Sequence, residues 1–94
     1  FPQIYQNYAA LGGSFVASRE PEQAVEYLEA SLSLKPMYAA AGYLIQAYRM
    51  LGQEDAARDV YDTMVPLLTR ESETASLRAL LEEDAESFPI CLGQ

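Results

Sequence analysis

Apolar and polar positions repeat along this chain with a period of 33 residues. When the sequence is shifted by that distance, apolar residues align with apolar residues and acidic residues with acidic ones. The pairs are Tyr5 with Tyr38, Leu11 with Leu44, Phe15 with Tyr48, Ala24 with Ala57, Leu28 with Tyr61, Leu32 with Val65, Leu34 with Leu67, Glu22 with Asp55, Glu26 with Asp59 and Glu29 with Asp62. Within each copy the apolar residues recur at helical spacing. The pattern predicts a repeat protein whose unit contains two helices.

The first copy predicts two helices joined by a turn at Arg19-Glu20. The first helix runs from Phe1-Pro2 to about Ser18, and Pro21 begins the second, since proline suits a first helical turn. Lys35-Pro36 ends the unit. The residues expected to face the core are Ile4, Tyr8, Leu11, Phe15, Ala24, Val25, Leu28, Leu32 and Leu34. A glycine inside the first helix, Gly12, is expected to let its partner helix approach closely.

The second copy predicts a third helix from about Met37 to Leu51, capped by Gly52, and a fourth from about Glu54. The residues expected inside are Leu44, Tyr48, Leu51, Ala57, Tyr61, Met64 and Val65. Pro66 lacks the backbone N–H of a helical residue, so the fourth helix should kink or loosen near Val65. The apolar residues that follow, Leu67 and Leu68, are still expected to be buried.

A last amphipathic helix is predicted from an N-cap at Ser72 to just before Pro89. Its apolar residues are Leu77, Leu80, Leu81, Ala85 and Phe88, and its other side carries Glu82, Glu83, Asp84 and Glu86. A helix with one polar side is what the end of a repeat array needs. We expect a capping helix followed by a frayed tail, residues 89–94.

Several positions of the first copy match one family's pattern of a large residue, Leu, Gly, Tyr, Ala, Phe and Pro. They are Tyr8, Leu11, Gly12, Phe15, Ala24, Leu28 and Pro36, with Leu44, Tyr48, Ala57 and Tyr61 in the second copy. The chain thus resembles the tetratricopeptide repeat (TPR) family. The resemblance implies an all-α fold, a TPR-like α-α superhelix of two antiparallel helical hairpins and a terminal helix. It implies a single domain, 1–94, with repeats at about 5–37 and 38–70 and a capping helix at about 72–88.

The second copy departs from the family pattern at two points. Ile45 stands where a small residue is usual, and no proline matches Pro36. The departures leave the fold expectation unchanged, because the remaining positions still match.

Composition and charge narrow the functional classes. The chain has a formal charge of −8, no histidine and one cysteine, Cys91. Anionic nucleic acids and lipid surfaces repel such a domain, and no apolar run is long enough for a membrane span. No residues have the pattern of a catalytic, cofactor or metal site. Because the sequence starts at Phe1, we expect a piece of a longer protein and predict no compartment.

The resemblance also indicates a binding surface, the concave groove lined by the first helix of each repeat. Aligned with the family, the lining residues are Gln6, Ala9, Gly13, Val16, Ala17, Ala39, Gly42, Tyr43, Gln46, Arg49 and Met50. The glycines would leave a low floor, and Arg49 would be available for a carboxylate or a carbonyl group. Tyr43 and Met50 could contact a partner, pack on a neighbouring repeat, or be simply exposed.

The resemblance implies a protein–protein interaction or scaffold module that binds a helix or an extended segment in this groove. The alternative is an accessory or dimerisation domain of a larger enzyme or membrane transferase, and a third interpretation is a homo-oligomer. Some TPR domains clamp a chaperone's terminal carboxylate with Lys and Asn. Here Ala9, Gly13 and Tyr43 stand at those positions, so that clamp is not expected.

Overall fold

The computed structural model describes residues 4–89. Over that range the chain forms five α-helices and two short 3₁₀ turns. The helices are α1 (Ile4–Ala17), α2 (Pro21–Leu34), α3 (Tyr38–Met50), α4 (Glu54–Met64) and α5 (Glu71–Glu82), and the turns are Val65–Leu67 and Ala85–Ser87. The architecture is all-α, as predicted. The opening at Phe1-Pro2, Cys91 and most of the expected frayed tail lie outside the described residues.

The first hairpin packs α1 against α2 through small residues. A Cβ atom built on Gly12 would lie 2.4 Å from Cγ of Leu28, and Leu28 and Ala24 are fully buried. The predicted close approach at Gly12 is therefore confirmed. The buried hydroxyl of Ser31 adds a polar link, since it donates to the backbone oxygen of Tyr5 at 2.6 Å.

The turns between helices follow the sequence signals. Pro21 is the first residue of α2, and Gly52, at φ +76°, ends α3 in the left-handed region that glycine adopts at low cost. Arg19 also has a positive φ, 63°. A residue with a Cβ atom pays roughly 1–2 kcal/mol for that conformation.

Pro66 loosens the end of the fourth helix, as predicted. The α-helix ends at Met64, and the chain continues as the 3₁₀ turn. The prediction that the next two leucines are buried is only partly right. Leu68 is half-buried, but Leu67 is 54% exposed.

The last helix is shorter than the sequence predicts. Ser72 lies inside its first turn rather than at the N-cap, and the helix ends at Glu82 because Glu83 has an extended backbone, with ψ at 152°. Phe88 is nevertheless fully buried. The expectation of one continuous helix to Pro89 is therefore wrong, and the chain instead brings Phe88 to the core through a separate turn.

Helix α3 lies between two cores. One of its faces (Ala40, Leu44, Ala47) packs with residues of α1 and α2, and the next (Ala41, Ile45) packs with α4, α5 and Phe88. In this way α5 stacks on the second hairpin as the second stacks on the first.

Two further residues that were expected in the core are exposed, Leu11 at 45% and Leu34 at 57%. Leu44, one period after Leu11, is buried by the hairpin that precedes α3. No described helix precedes α1 to cover Leu11. Within residues 4–89, no helix has the length and apolarity that crossing a membrane requires.

Candidate functional site

The first helices of the repeats form a row, because α1 packs against α3 and α3 packs against α5. The residues predicted to line a groove on this row differ widely in exposure. Gln6 and Ala17 are exposed, Gly13, Ala39, Tyr43, Arg49 and Met50 are half-buried, and Ala9, Val16, Gly42 and Gln46 are buried. The structure therefore narrows the surface that a partner could touch.

The buried members serve the domain's own packing. Ala9 and Val16 belong to the core between α1, α2 and α3, and Gln46 is fully buried and has interactions within the chain. Gly42 is also buried, so a bulky residue there would disturb the interior. These four residues are buried and therefore not available to a partner in this structure, which corrects the expectation of an open lining.

Gly13 allows α1 and α3 to lie close together. A Cβ atom added there would be 2.9 Å from Cε2 of Tyr43, so the tyrosine ring fills the space that the glycine leaves. The sequence had indicated a low groove floor at this point. The floor is covered by the chain's own ring, whose exposed part remains as surface.

The Arg49 side chain makes its hydrogen bonds and its aromatic contact inside the domain. Its Nε atom donates to Glu54 at 2.9 Å, and Nη1 donates to the backbone oxygens of Leu80, at 2.9 Å, and Glu83. Its guanidinium carbon lies 5.5 Å from the centre of the Phe88 ring, within the range of a cation–π contact. The side chain is only 11% exposed. The expectation that it is available for a partner's carboxylate or carbonyl is corrected, because it joins α3 to α4 and to the end of α5.

The segment after α5 reaches back to the first hairpin. Arg19 Nη1 donates to the backbone oxygen of Phe88 at 2.8 Å. Between this segment and α2 lies a depression of about 360 Å³ lined by Arg19, Pro21, Met50 and Glu86. The sequence predicted that Phe88 is buried, but neither arginine contact was predicted, since both depend on where the chain goes after Glu82.

Residues 4–89 hold no cluster of three or more carboxylate, thiol or imidazole groups arranged to bind a metal ion. What the row of first helices offers is a contact surface. Its accessible members are Gln6, Gly13, Ala17, Ala39, Tyr43 and Met50, which we call the first-helix surface.

Comparison with known families decides the family of this fold. A model of the tetratricopeptide repeat matches residues 15–91. The chain belongs to the tetratricopeptide repeat family. No curated protein and no solved structure matches it. TPR units generally mediate protein–protein interaction and are typically non-catalytic scaffolds.

Proposed function

We propose that the chain is the protein-binding module of a larger protein and that its partner is a helix or an extended segment lying on the first-helix surface. The observation that supports this most directly is the row of α1 and α3, on which Tyr43 and Met50 remain half-exposed beside small residues. A ring and a flexible thioether at the same surface give adaptable apolar contact.

The depression beside Met50 extends this surface toward the α1–α2 turn. A partner side chain could enter it between Pro21 and Glu86 without displacing Phe88, which is fully buried. The proposal covers a partner segment from the same parent chain, from a second copy or from another protein. The contact chemistry proposed is the same in each case.

A peptide-display selection with the 94-residue chain as bait tests the proposal. Enriched peptides are then titrated against wild type, Met50→Glu, Gln6→Lys and the matched control Asn7→Lys. Gln6 and Asn7 are adjacent and both exposed on α1, but only Gln6 is part of the first-helix surface. We expect Met50→Glu and Gln6→Lys to weaken binding at least fivefold and Asn7→Lys to change it less than twofold.

Circular dichroism melts of each variant establish that the fold is intact before affinities are compared. Failure to enrich any peptide, or equal binding to all variants, would contradict the proposal. Sedimentation analysis of the free chain distinguishes the dimerisation alternative, because a stable dimer whose interface contains Met50 would make this surface a self-association site.

A further inference from the structure

A second apolar cleft lies on the other side of the molecule, between the second helices of the two hairpins. Helices α2 and α4 both pack on α3 but make no extensive contact with each other. The gap between them has a volume of about 480 Å³, within the range of known ligand pockets. We call it the α2–α4 cleft. It is lined by Glu29, Leu32, Ser33, Pro36, Leu44, Tyr48, Ala56, Asp59, Val60, Thr63, Met64 and Leu67.

The floor and walls of the α2–α4 cleft are mainly apolar. Leu44 and Met64 close its floor, Val60 is half-buried in its wall, and Leu67 stands at one end with 54% of its surface exposed. From Ala56 on α4 to Leu67 in the 3₁₀ turn that follows it, the lining residues recur at intervals of three and four. That length corresponds to about three helical turns, or roughly 16 Å.

The charge at the rim has one sign. Glu29 and Asp59 are exposed on opposite walls, and none of the described lining residues is Lys or Arg. Glu22 and Glu26 extend the acidic stripe along α2, and both are exposed. Arg58 lies on α4 but outside the lining. A partner with positive charge beside its apolar residues therefore matches this rim.

The hydroxyl of Tyr48 adds a polar group to the lining of the α2–α4 cleft and brings no positive charge. Its hydroxyl donates to a carboxylate oxygen of Glu29. Burial, and then the hydrogen bond and charge of Glu29, raise the pKa of the Tyr48 phenol well above its usual range. The phenol stays neutral at physiological pH, and the carboxylate retains lone pairs for a second donor.

We propose that the α2–α4 cleft binds an amphipathic helix of another protein, about three turns long, whose apolar stripe is flanked by Lys or Arg. Two helices that form the walls of an apolar groove are suited to a third helix with apolar residues at intervals of three and four. A second copy of this chain is disfavoured as the occupant, because its formal charge is also −8. This site does not depend on the first-helix surface.

The test uses two fluorescein-labelled synthetic helical peptides of roughly 14 residues. Both carry the same leucine stripe, but one is flanked by lysines and the other by glutamates. Fluorescence anisotropy with the 94-residue chain measures each affinity. We expect the lysine peptide to bind at least tenfold more tightly than the glutamate peptide, and its affinity to fall as salt concentration rises.

Two charge reversals on α4 test whether binding is in the cleft. Asp59→Arg and Asp62→Arg change the net charge equally at exposed positions of the same helix, but only Asp59 lines the cleft. We expect Asp59→Arg to weaken the lysine peptide at least fivefold and Asp62→Arg to weaken it less than twofold. Equal losses would show non-specific attraction to an acidic protein and overturn the proposal.

Amide chemical shifts of the labelled chain show the location directly. Changes concentrated at Ser33, Val60 and Thr63 on addition of the lysine peptide support the proposal. Changes concentrated on α1 and the exposed side of α3, or the absence of saturable binding, overturn it. If no saturable binding is found, sedimentation of the chain without peptide shows whether a second copy fills the cleft. A dimer that is broken by Asp59→Arg would mean that it does.

Discussion

The two hairpins have the same sequence period, but different residues fill the space between their helices. In the first hairpin the small residue is on the first helix, and Leu28 of the second helix occupies the space above Gly12. In the second hairpin Ile45 stands at the position of Gly12 and is itself fully buried. Tyr61, at the position of Leu28, is only half-buried, and its hydroxyl accepts a hydrogen bond from Arg78 Nε at 3.1 Å.

The difference shows that either helix of a hairpin can supply the side chain that fills the crossing, since protein interiors are close-packed. When Ile45 fills the crossing from α3, the large residue of α4 is left at the edge, where it contacts α5. The hydrogen bond to Tyr61 raises the pKa of the Arg78 guanidinium, although that group is exposed. The second hairpin thus uses its bulky residue partly to bind the capping helix.

The largest effect is expected from removing the bulk that distinguishes the second hairpin. Ile45→Ala leaves a cavity between α3, α4 and α5 and should cost about 2–5 kcal/mol of unfolding free energy. Urea unfolding followed by circular dichroism measures this loss. If the variant is unfolded in buffer, Ile45→Val should still show a loss of about 0.5–1.5 kcal/mol. A change near zero for both would mean that Ile45 does not fill the crossing.

A second difference lies at the position of Val16 in the first hairpin, which is Arg49 in the second. Replacing this arginine by glutamine removes charge-assisted hydrogen bonds to the backbone oxygens of Leu80 and Glu83. We expect a loss of about 1.5–3 kcal/mol and faster hydrogen exchange in α5. Arg58→Gln, at an exposed position of α4, is the control and should leave the unfolding midpoint unchanged.

Adding volume to the first hairpin tests the other side of the comparison. Gly12→Ala would gain about 1 kcal/mol from helix propensity if the space were open. Because Leu28 fills that space, we expect a net destabilisation of about 1–3 kcal/mol instead. The same substitution made together with Leu28→Ala should lose this penalty. A stabilised single variant would contradict the close approach of the two helices.

The smallest effect concerns the hydroxyl that Tyr48 has and Phe15, at the same position of the first repeat, lacks. The folded-state pKa of Tyr48 is raised above its ordinary value of 10.0. The contribution of Tyr48 to the free energy of unfolding is therefore complete below pH 10. It decreases above pH 10, because the tyrosine then ionises in the unfolded chain but not in the folded one. Tyr48→Phe should lose stability less steeply above pH 10 than wild type, as measured by urea midpoints at pH 9 and 11. Parallel pH profiles would contradict this linkage.

Sequence periodicity predicted the features that depend on spacing alone. The hairpins, the closeness at Gly12, the cap at Gly52 and the loosened turn at Pro66 all follow from local chemistry. The small residues Ala24 and Ala57 are fully buried, as the alignment of the two copies predicts.

Features that depend on a neighbour could not be predicted in the same way. Leu11 has the pattern of a core residue but lacks a preceding helix among the described residues. Arg49 was placed on the correct helix, but its spacing does not reveal that the end of α5 lies beside it. The cleft between α2 and α4 was also missed, because periodicity gives the face of each helix and not the gap between two of them.

The hydrogen bond from Arg19 to the backbone of Phe88 has a consequence for the copy number of the array. In a linear solenoid each unit contacts only its neighbours, so units can be inserted or deleted almost independently. Here residues 69 positions apart meet, and the second hairpin lies between them in the sequence. Duplicating residues 38–70 would add one unit between these two partners and separate them. An extra unit inserted between Arg19 and Phe88 is therefore expected to break the hydrogen bond that joins the first hairpin to the segment after α5.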